Sequence, residues 1–478
     1  MRRNFSFYLI MLVAFGSGIL AVLKYGQRLQ PAGMLSGSQG PETSWLSAMT
    51  RAFQDNLSHP LGVLLLQVIV IVLLARFMGV IFRRIGQPAV VGEMVSGILL
   101  GPSFFGLLLP RLHALIFPPG SLGGLMLLSQ VGVILFMFVV GMEIDLPDLR
   151  KKSQAAVIVS HASIAVPFFL GVMFSLFIYR AVAPAQISFV AFALFMGVAM
   201  SITAFPVLAR IIEERGLSVT PFGAIAMACA AVDDLTAWCL LAIVVAVVKA
   251  TGLATAAVTV LLALLFIAVM LWIIRPRAEG ILRREEKKDT HSRGFIAGVL
   301  IFVFTCALFT EIIGIHAIFG AFLAGATLPV QSRVRKVLRE RLETVSGTFL
   351  LPLFFAYAGL RTQLGLLDGW HDWLICGGLI AIATVGKLGG SMLAARWTGM
   401  AWRSAFSVGI LMNVRGLVEL IVLNIGYDFG ILSPRIFTMM VVMALVTTFM
   451  AGPVLSLLGF GVRAPAPTGK ANASVAEP

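Results

Sequence analysis

Residues 231–238 read Ala-Val-Asp-Asp-Leu-Thr-Ala-Trp, which places two adjacent carboxylates, Asp233 and Asp234, inside an apolar run over residues 221–248. A run of this length is typical of a transmembrane helix. An ionisable side chain at mid-membrane costs at least about 2.5–3.5 kcal/mol, and two adjacent like charges need a compensating cation. A metal ion, a proton or a lysine would supply it. The stretch predicts a proton- and cation-binding site, with a structural ion pair or a hydrated helix kink as the alternative.

The composition is that of a polytopic helical membrane protein. Of the 478 residues, 59% are hydrophobic and only 12% are charged, a balance that soluble domains do not show. The net charge of +14 is assigned to basic cytoplasmic loops rather than to a nucleic-acid surface. The four cysteines are scattered through apolar segments without the spacing of a metal site or a disulfide framework. No cofactor is expected, and no metal beyond a transported monovalent cation.

Thirteen apolar segments follow an N-terminal hydrophobic stretch. Residues 1–26 predict a signal peptide or a signal anchor, with an uncleaved helix favoured. Residues 27–59 predict a polar extracytoplasmic loop, and residues 461–478 predict a disordered cytoplasmic tail. The predicted segments are residues 60–82, 89–109, 122–142, 155–178, 186–209, 219–247, 252–274, 294–313, 315–331, 346–361, 372–397, 403–425 and 435–460.

The basic residues of the loops test this set of segments. With the N-terminus in the cytoplasm, 26 of the 36 Lys and Arg residues fall in cytoplasmic loops, tails and segment ends, and 8 fall on the opposite side. Because basic residues collect in cytoplasmic loops, the asymmetry supports the segments and predicts that both termini are cytoplasmic. The expected location is a bacterial inner (plasma) membrane, with lipid around the helices.

The segments divide into two groups of six, residues 60–247 and 294–460, joined by a connector at 252–274. An odd connector between two even groups inverts the second group, which is the arithmetic of an inverted-topology repeat. The fifth segment of each group is interrupted by polar residues and a helix breaker, at 203–206 and at 413–416. Paired broken helices indicate the binding site of a secondary transporter.

Lys387 and Glu93 are further charged side chains in the predicted segments. Lys387 lies about 15 residues into its segment, about 22 Å from the segment end by helical rise. A buried lysine needs a counter-charge, so it is predicted to pair with one of the two aspartates; snorkelling to the interface is the alternative. Glu93 lies near the start of its segment and is expected to be solvated at the membrane interface.

The first interrupted segment offers oxygen ligands. Ser201 and Thr203 would supply hydroxyl oxygens beside Pro206, together with the backbone carbonyls that a broken helix leaves without partners. Oxygen ligands suit hard cations such as Na⁺ or K⁺. A simple proline kink is the competing interpretation.

The second interrupted segment carries Asn413, Arg415, Gly416 and Glu419. Arg415 and Glu419 are spaced four residues apart, so an ion pair between them is the favoured, structural interpretation. Half-helices that end near each other place the ends of their dipoles together, and charged side chains would offset these partial charges.

Several stretches together carry a family resemblance. They are residues 87–94 (Gln-Pro-Ala-Val-Val-Gly-Glu-Met), 97–103 (Gly-Ile-Leu-Leu-Gly-Pro-Ser), 201–210 (Ser-Ile-Thr-Ala-Phe-Pro-Val-Leu-Ala-Arg), Asp233-Asp234, 314–325 (Gly-Ile-His-Ala-Ile-Phe-Gly-Ala-Phe-Leu-Ala-Gly) and 413–420 (Asn-Val-Arg-Gly-Leu-Val-Glu-Leu). Over roughly residues 60–460 the chain resembles the cation:proton antiporter-2 family of monovalent cation/proton exchangers. The Asn-x-Arg-Gly stretch looks like the plant cation/proton exchanger branch and its microbial relatives.

The resemblance implies an all-helical, thirteen-helix sodium/proton-antiporter-type core with inverted six-helix repeats and two broken crossing helices, in addition to the N-terminal hydrophobic helix. It also implies a homodimer. Residues 60–142 and 294–361 would form a scaffold and dimerisation domain. Residues 155–247 and 372–460 would carry the ion, with 252–274 as the connector.

The resemblance also assigns roles to individual residues. The family's ion-binding aspartate falls on Asp234, the aspartate that pairs with a lysine on Asp233, and that lysine on Lys387. The threonine of the crossing helix falls on Thr203. The plant branch often has Asn where Asp233 stands, whereas an acidic pair is similar to the electrogenic sodium/proton exchangers, so the choice between Na⁺ and K⁺ stays open.

The resulting hypothesis is secondary active antiport of Na⁺ or K⁺ against protons, without enzymatic chemistry or nucleic-acid binding. One alternative is sodium-coupled symport of an organic solute on a related fold, which predicts a roomy solute cavity and no strict need for Lys387. A second alternative is a channel-like cation pathway, which predicts a continuous pore and cation flux far above exchanger rates. The acidic pair with a mid-membrane lysine favours antiport.

Overall fold

A computed structural model describes the residues 15, 17–25, 49, 59–118, 120–143, 154–217, 220–249, 253–285, 293–329 and 332–460. Residues 17–25 are helical, within the predicted N-terminal hydrophobic helix. The predicted tail 461–478 and nearly all of the predicted loop 27–59 lie outside the described residues. The remaining described residues form a helical membrane domain.

Within these ranges the secondary structure is entirely helical. The helices are α1 (Pro60–Arg84), α2 (Ala89–Leu100), α3 (Phe105–Leu108), α4 (Pro110–Ile116), α5 (Leu122–Glu143), α6 (Gln154–Val182), α7 (Phe189–Ser201), α8 (Phe205–Glu214), α9 (Pro221–Lys249), α10 (Leu253–Ala268), α11 (Arg275–Glu285), α12 (Arg293–Ile313), α13 (Ala317–Ala326), α14 (Arg333–Val345), α15 (Leu351–Leu360), α16 (Trp370–Thr384), α17 (Gly390–Trp397), α18 (Trp402–Met412), α19 (Leu417–Asp428) and α20 (Pro434–Leu457). Three π-helical turns, Val269–Ile274, Ser346–Leu350 and Val385–Gly389, continue directly into α11, α15 and α17.

Each of the thirteen predicted segments coincides with a helix or with helices in series. In the described part of the chain, 10 helices are long and apolar enough to span a membrane, or 11 if the bent pair α18 and α19 counts as one span. Two further apolar helices, α7 and α13, are shorter. The number of long helices is smaller than the thirteen predicted segments because α7 ends at a break and α13 has only 10 residues.

Local sequence explains where several helices begin. The hydroxyl of Ser188 accepts a hydrogen bond from the Ala191 amide at the start of α7 (3.2 Å), and Ser433 caps α20 in the same way through the Ile436 amide (3.4 Å). Such caps satisfy amides that have no partner within the helix. Between α1 and α2 the chain turns at Gly86, whose φ of 76° is readily available only to glycine.

Two helix pairs pack backbone against backbone through glycine. A Cβ on Gly359 of α15 would lie 2.2 Å from the carbonyl carbon of Gly97 in α2, and a Cβ on Gly141 of α5 would lie 2.0 Å from the carbonyl oxygen of Phe322 in α13. Small residues permit this close approach in membrane helices. The predicted inverted repeat exchanges α2 with α13 and α5 with α15, so it maps one pair onto the other.

Gly359→Ala is expected to lower the thermal stability of the detergent-solubilised protein, because the added methyl group meets the backbone of α2 and overpacking costs about 1–3 kcal/mol. Gly377→Ala is the matched control, since a Cβ there meets nothing within 4 Å. Equal thermal unfolding midpoints for the two variants would contradict the close packing of α2 and α15.

Candidate functional site

The two helix breaks lie against each other. The Ala204 amide, between α7 and α8, donates a hydrogen bond to the carbonyl oxygen of Val414, between α18 and α19 (3.1 Å). Approach is also close at Gly416, where a Cβ would lie 2.9 Å from Val207 Cγ2. Pro206 is the second residue of α8, a position where its missing N–H costs nothing. The two broken spans therefore cross at their non-helical residues.

Arg415 stabilises this crossing from the second break. Its guanidinium is fully buried and donates to the carbonyl oxygens of Ala199 (3.0 Å) and Met200 (2.7 Å), near the end of α7. A cation at this position offsets the partial negative charge of a helix C-terminus. Its Nη1 also lies 2.8 Å from the carboxylate of Glu419. The ion pair between Arg415 and Glu419 was predicted, and the structure confirms it.

The carboxylate of Asp233 is fully engaged. Its Oδ1 accepts a hydrogen bond from Ser160 (2.6 Å), and its Oδ2 accepts from Ser163 (2.6 Å) and Thr203 (2.9 Å). Lys387 Nζ is 3.0 Å from the same Oδ2. An ionised carboxylate has about four lone-pair sites, two on each oxygen; here one donor reaches Oδ1 and three reach Oδ2. Four donors therefore already surround Asp233, which leaves it less capacity for a further ligand.

Lys387 is just as completely satisfied. Its ammonium group has three N–H donors, and its three partners are Ser163 Oγ (2.8 Å), Thr203 Oγ1 (2.6 Å) and Asp233 Oδ2 (3.0 Å). The two hydroxyls thus accept from Lys387 and donate to Asp233. Both members of the pair are 0% exposed. Lys387 lies in the π-helical turn Val385–Gly389, a departure from regular α-helix that is frequent at functional sites.

Asp234 is also buried, with 1% of its surface exposed. Successive residues of a helix point about 100° apart, so its carboxylate leaves α9 in a different direction from that of Asp233. The structure thus brings Asp233, Lys387 and Thr203 together as one charged cluster and places Asp234 beside it on the same helix. The two adjacent acids have different environments.

Ser201, a predicted cation ligand, and Asn413, a residue of the second break, differ in their surroundings. The Ser201 hydroxyl lies 2.7 Å from the carbonyl oxygen of Gly197 and 3.1 Å from that of Ile164, so its contacts are with helix backbone rather than with the aspartates. The side-chain oxygen of Asn413 is buried and accepts no hydrogen bond from the described residues. A buried oxygen without a donor is costly and is suited to a cation.

Ser160 and Ser163 of α6 are the site residues that the sequence did not single out. They lie three residues apart, on one face of the helix, and both reach Asp233. Two serines at this spacing are only a weak sequence indication of a site, because serines in membrane helices usually bond to their own helix, as Ser175 of α6 does to Gly171 (2.8 Å).

Ser163→Ala is expected to destabilise the protein more than Ser160→Ala does. Ser163 both donates to Asp233 and accepts from Lys387, whereas Ser160 only donates; hydrogen bonds to charged groups contribute about 1.5–3 kcal/mol each. Thermal unfolding in detergent measures the difference, with Ser175→Ala as the control on the same helix. Equal midpoints for Ser163→Ala and Ser175→Ala would contradict the cluster.

A cavity of about 1050 Å³ approaches the crossing from one face of the membrane domain. Its walls include Phe205 and Leu417, the first residues of α8 and α19, and Met227, which precedes the two aspartates on α9. Glu93 also lines it and is buried (6% exposed). The expectation that Glu93 is solvated at the interface is wrong, because the first turn of α2 packs against α1: a Cβ on Gly92 would lie 2.6 Å from the Met78 carbonyl oxygen.

A helical membrane domain with two crossed, broken spans and buried charges at their crossing has the architecture of a secondary transporter. The sequence profile described as "Sodium/hydrogen exchanger, transmembrane" matches residues 45–461. The chain therefore belongs to the sodium/hydrogen exchanger family of transmembrane proteins. The family membership supports the resemblance to cation/proton exchangers that the sequence indicated.

Individual relatives agree with this assignment. The Na⁺/H⁺ antiporter NhaS4 of Synechocystis sp. is 44% identical over 399 residues, which cover 83% of this chain and 97% of that protein. Cation/H⁺ antiporter 17 of Arabidopsis thaliana is 37% identical, covering 84% of this chain and 49% of that protein. K⁺/H⁺ antiporter 1 of Saccharomyces cerevisiae is 35% identical, covering 85% and 47%. The chain thus spans about half the length of the plant and yeast relatives.

A solved structure has the same fold. The sodium proton antiporter MjNhaP1 from Methanocaldococcus jannaschii superimposes with a TM-score of 0.58, covering 83% of this chain and 97% of that one. At 12% sequence identity the similarity concerns the fold alone. It confirms the predicted all-helical antiporter-type architecture.

Proposed function

We propose that this protein exchanges a monovalent cation, Na⁺ or K⁺, for protons across a membrane by secondary active antiport. It acts as a transporter rather than as an enzyme. One observation carries the proposal: two adjacent buried aspartates, one of them locked to a buried lysine, lie where two broken helices cross. The names of the relatives, Na⁺/H⁺ and K⁺/H⁺ antiporters, support the same activity and leave the ion open between Na⁺ and K⁺.

In the proposed mechanism the two aspartates have different roles. Asp233 is occupied by Lys387 and three hydroxyls, so Asp234 is the carboxylate that binds either a proton or the cation. Cation binding requires Asp234 to lose its proton, and the two substrates compete for one group. Thr203 and Asn413 provide further oxygen atoms at the crossing. If Lys387 also releases its proton when its pair breaks, each exchange cycle moves net charge.

Transport requires the site to open alternately to the two faces of the membrane. We assign residues 155–247 and 372–460 to a domain that carries the ion and residues 60–142 and 294–361 to a scaffold that also forms a homodimer, with 252–274 as connector. The cavity at Phe205 and Leu417 is then the open path to one face. The distribution of basic residues supports an orientation in which this face and both termini are cytoplasmic. We propose the inner membrane of a bacterial cell as the location.

Exchange in proteoliposomes tests the proposal. A pH-sensitive dye inside the vesicles reports proton movement when Na⁺, K⁺ or Li⁺ is added outside, across a series of pH values. Antiport predicts that the lumen becomes more alkaline as the cation enters, and that this persists when the membrane potential is clamped to zero.

The alternatives give different results in the same assay. A cation channel would move protons only through the potential that it generates, so the clamp would abolish the signal. A sodium-coupled symporter would give no proton movement until its organic solute is added. Either result would contradict antiport.

A further inference from the structure

A compact polar cluster lies on the membrane face opposite the cavity. Arg361 directly follows α15, in a membrane span over Arg335–Leu366, and Arg335 at the other end of that span lines the cavity. Asp428 ends α19, whose first residue, Leu417, also lines the cavity; eleven residues of helix separate these two by about 17 Å. Both elements therefore run from the cavity to the opposite face.

The Arg361 guanidinium joins these two elements. Its Nη1 is 2.6 Å from Asp428 Oδ1 and 3.2 Å from Asn424 Oδ1. The rings of Tyr357 and Tyr427 flank it, with 4.2 Å and 5.0 Å from the guanidinium carbon to the ring centroids. The ion pair is partly shielded from water, since the side chains of Arg361 and Asp428 are 16% and 28% exposed.

Such an arrangement is stronger than an ordinary surface ion pair. Exposed pairs contribute little, whereas a charge-assisted hydrogen bond with partial desolvation and cation–π contacts adds to the attraction. A second hydrogen bond lies close by in the chain: the amide of Gln363, two residues after Arg361, donates to Thr438 Oγ1 of α20 (3.1 Å).

The contributing residues come from both sides of the proposed division into two domains. Tyr357 and Arg361 belong to the proposed scaffold, while Asn424, Tyr427 and Asp428 belong to the domain proposed to carry the ion. Any movement of one domain against the other that opens this face must separate Arg361 from Asp428. The cavity at the opposite face is open while this contact is intact.

We propose that Arg361, held by Asp428, Asn424 and the two tyrosine rings, is a clasp that closes the face opposite the cavity and sets the balance between the two access states. The clasp rests on the proposed function, since it presumes alternating access. Its guanidinium lies between the carboxylate of Asp428 and the rings of Tyr357 and Tyr427. Arg361 separates from Asp428 only when the domain that carries the ion moves.

Thiol labelling measures the predicted shift. A cysteine at the cavity-lining position Val140 is introduced after replacement of the four native cysteines, and a membrane-impermeant thiol reagent is applied from the cavity side of purified proteoliposomes. Asp428→Asn weakens the clasp and favours the state in which the cavity is closed, so labelling is expected to slow, by up to about tenfold for a shift of about 1.4 kcal/mol in the balance between the two states.

The chain offers a matched control. Arg435 and Asp372 form an ion pair at 3.6 Å, on α20 and α16, both within the proposed ion-carrying domain. Asp372→Asn is expected to leave the labelling rate unchanged. Arg361→Lys keeps the charge but loses the planar guanidinium that lies over the two tyrosine rings. It is expected to slow labelling as well, which provides a second variant if Asp428→Asn folds poorly.

A double variant separates coupling from independent damage. If Arg361 and Asp428 act together, Arg361→Ala combined with Asp428→Ala slows labelling no more than either change alone. Unchanged labelling in both Asp428→Asn and Arg361→Lys, or equal slowing by Asp372→Asn, would overturn the clasp. Exchange by the wild-type protein is measured separately: its absence would refute the proposed function, whereas normal exchange with unchanged labelling would refute only the clasp.

Discussion

Asp234→Asn is expected to abolish cation-driven proton movement in proteoliposomes while leaving the protein folded. Asparagine has almost the same shape as aspartate, but it cannot release a proton or provide a negative charge to a cation. The ion pair between Asp233 and Lys387 is left in place, so thermal unfolding in detergent should change little. The dye signal should fall to that of vesicles without protein.

Thr236→Ala is the control for this experiment. Thr236 lies two residues away on α9, and its hydroxyl donates to the carbonyl oxygen of Val232 in its own helix (2.8 Å). Its replacement is expected to leave exchange close to the wild-type rate. Wild-type exchange by a well-folded Asp234→Asn variant would show that Asp234 does not carry the substrates.

Lys387→Met is expected to cause the largest loss of stability of any change considered. It leaves the carboxylate of Asp233 buried, at 0% exposure, without its counter-ion. Removing one partner of a buried ion pair typically costs about 3–5 kcal/mol. Thermal or denaturant unfolding in detergent should report this loss.

The double variant Lys387→Met with Asp233→Asn distinguishes a lost ion pair from a packing defect. Removing the second charge relieves the unpaired carboxylate, so the double variant should recover much of the stability that Lys387→Met loses. Additive losses in the double variant would contradict a tight ion pair. The hydroxyls of Ser160, Ser163 and Thr203 remain available to the asparagine side chain in this variant.

The sequence predicts the fold and the charged part of the site well, for a physical reason. Long apolar runs have few alternatives to membrane helices, so each of the thirteen segments was foreseeable. Charges inside such runs must find partners, and few were available. The pairing of Lys387 with one of the two aspartates, and that of Arg415 with Glu419, followed from this scarcity, whereas the choice of Asp233 as the lysine's partner came from the family resemblance.

The hydroxyl part of the site could not be predicted in the same way. A serine in a membrane helix satisfies its single donor equally well on its own backbone or on a distant acid. Ser163 reaches Asp233, whereas Ser201, which looked like a cation ligand, stays with helix carbonyls. Only the packing of α6 beside α9 decides between these outcomes, and the local sequence does not predict that packing.

The burial of a side chain near the start of a helix could not be predicted from the sequence either. Glu93 lies near the start of its segment, where solvation is the usual outcome, yet α2 begins against the backbone of α1. The close approach at Gly92 depends on the absence of a side chain there. Glu93, the next residue, lies in the cavity wall.

The central claim is that a proton and a cation compete for Asp234, and the pH dependence of the apparent KM for the cation tests it most directly. In proteoliposomes with the same pH on both sides, KM for Na⁺ or K⁺ is measured across a pH series. Competition predicts that, at the acidic end of the pH series, KM rises in proportion to the proton concentration while the maximum rate stays constant. A KM independent of pH, with only the maximum rate falling, would contradict competition for one carboxylate.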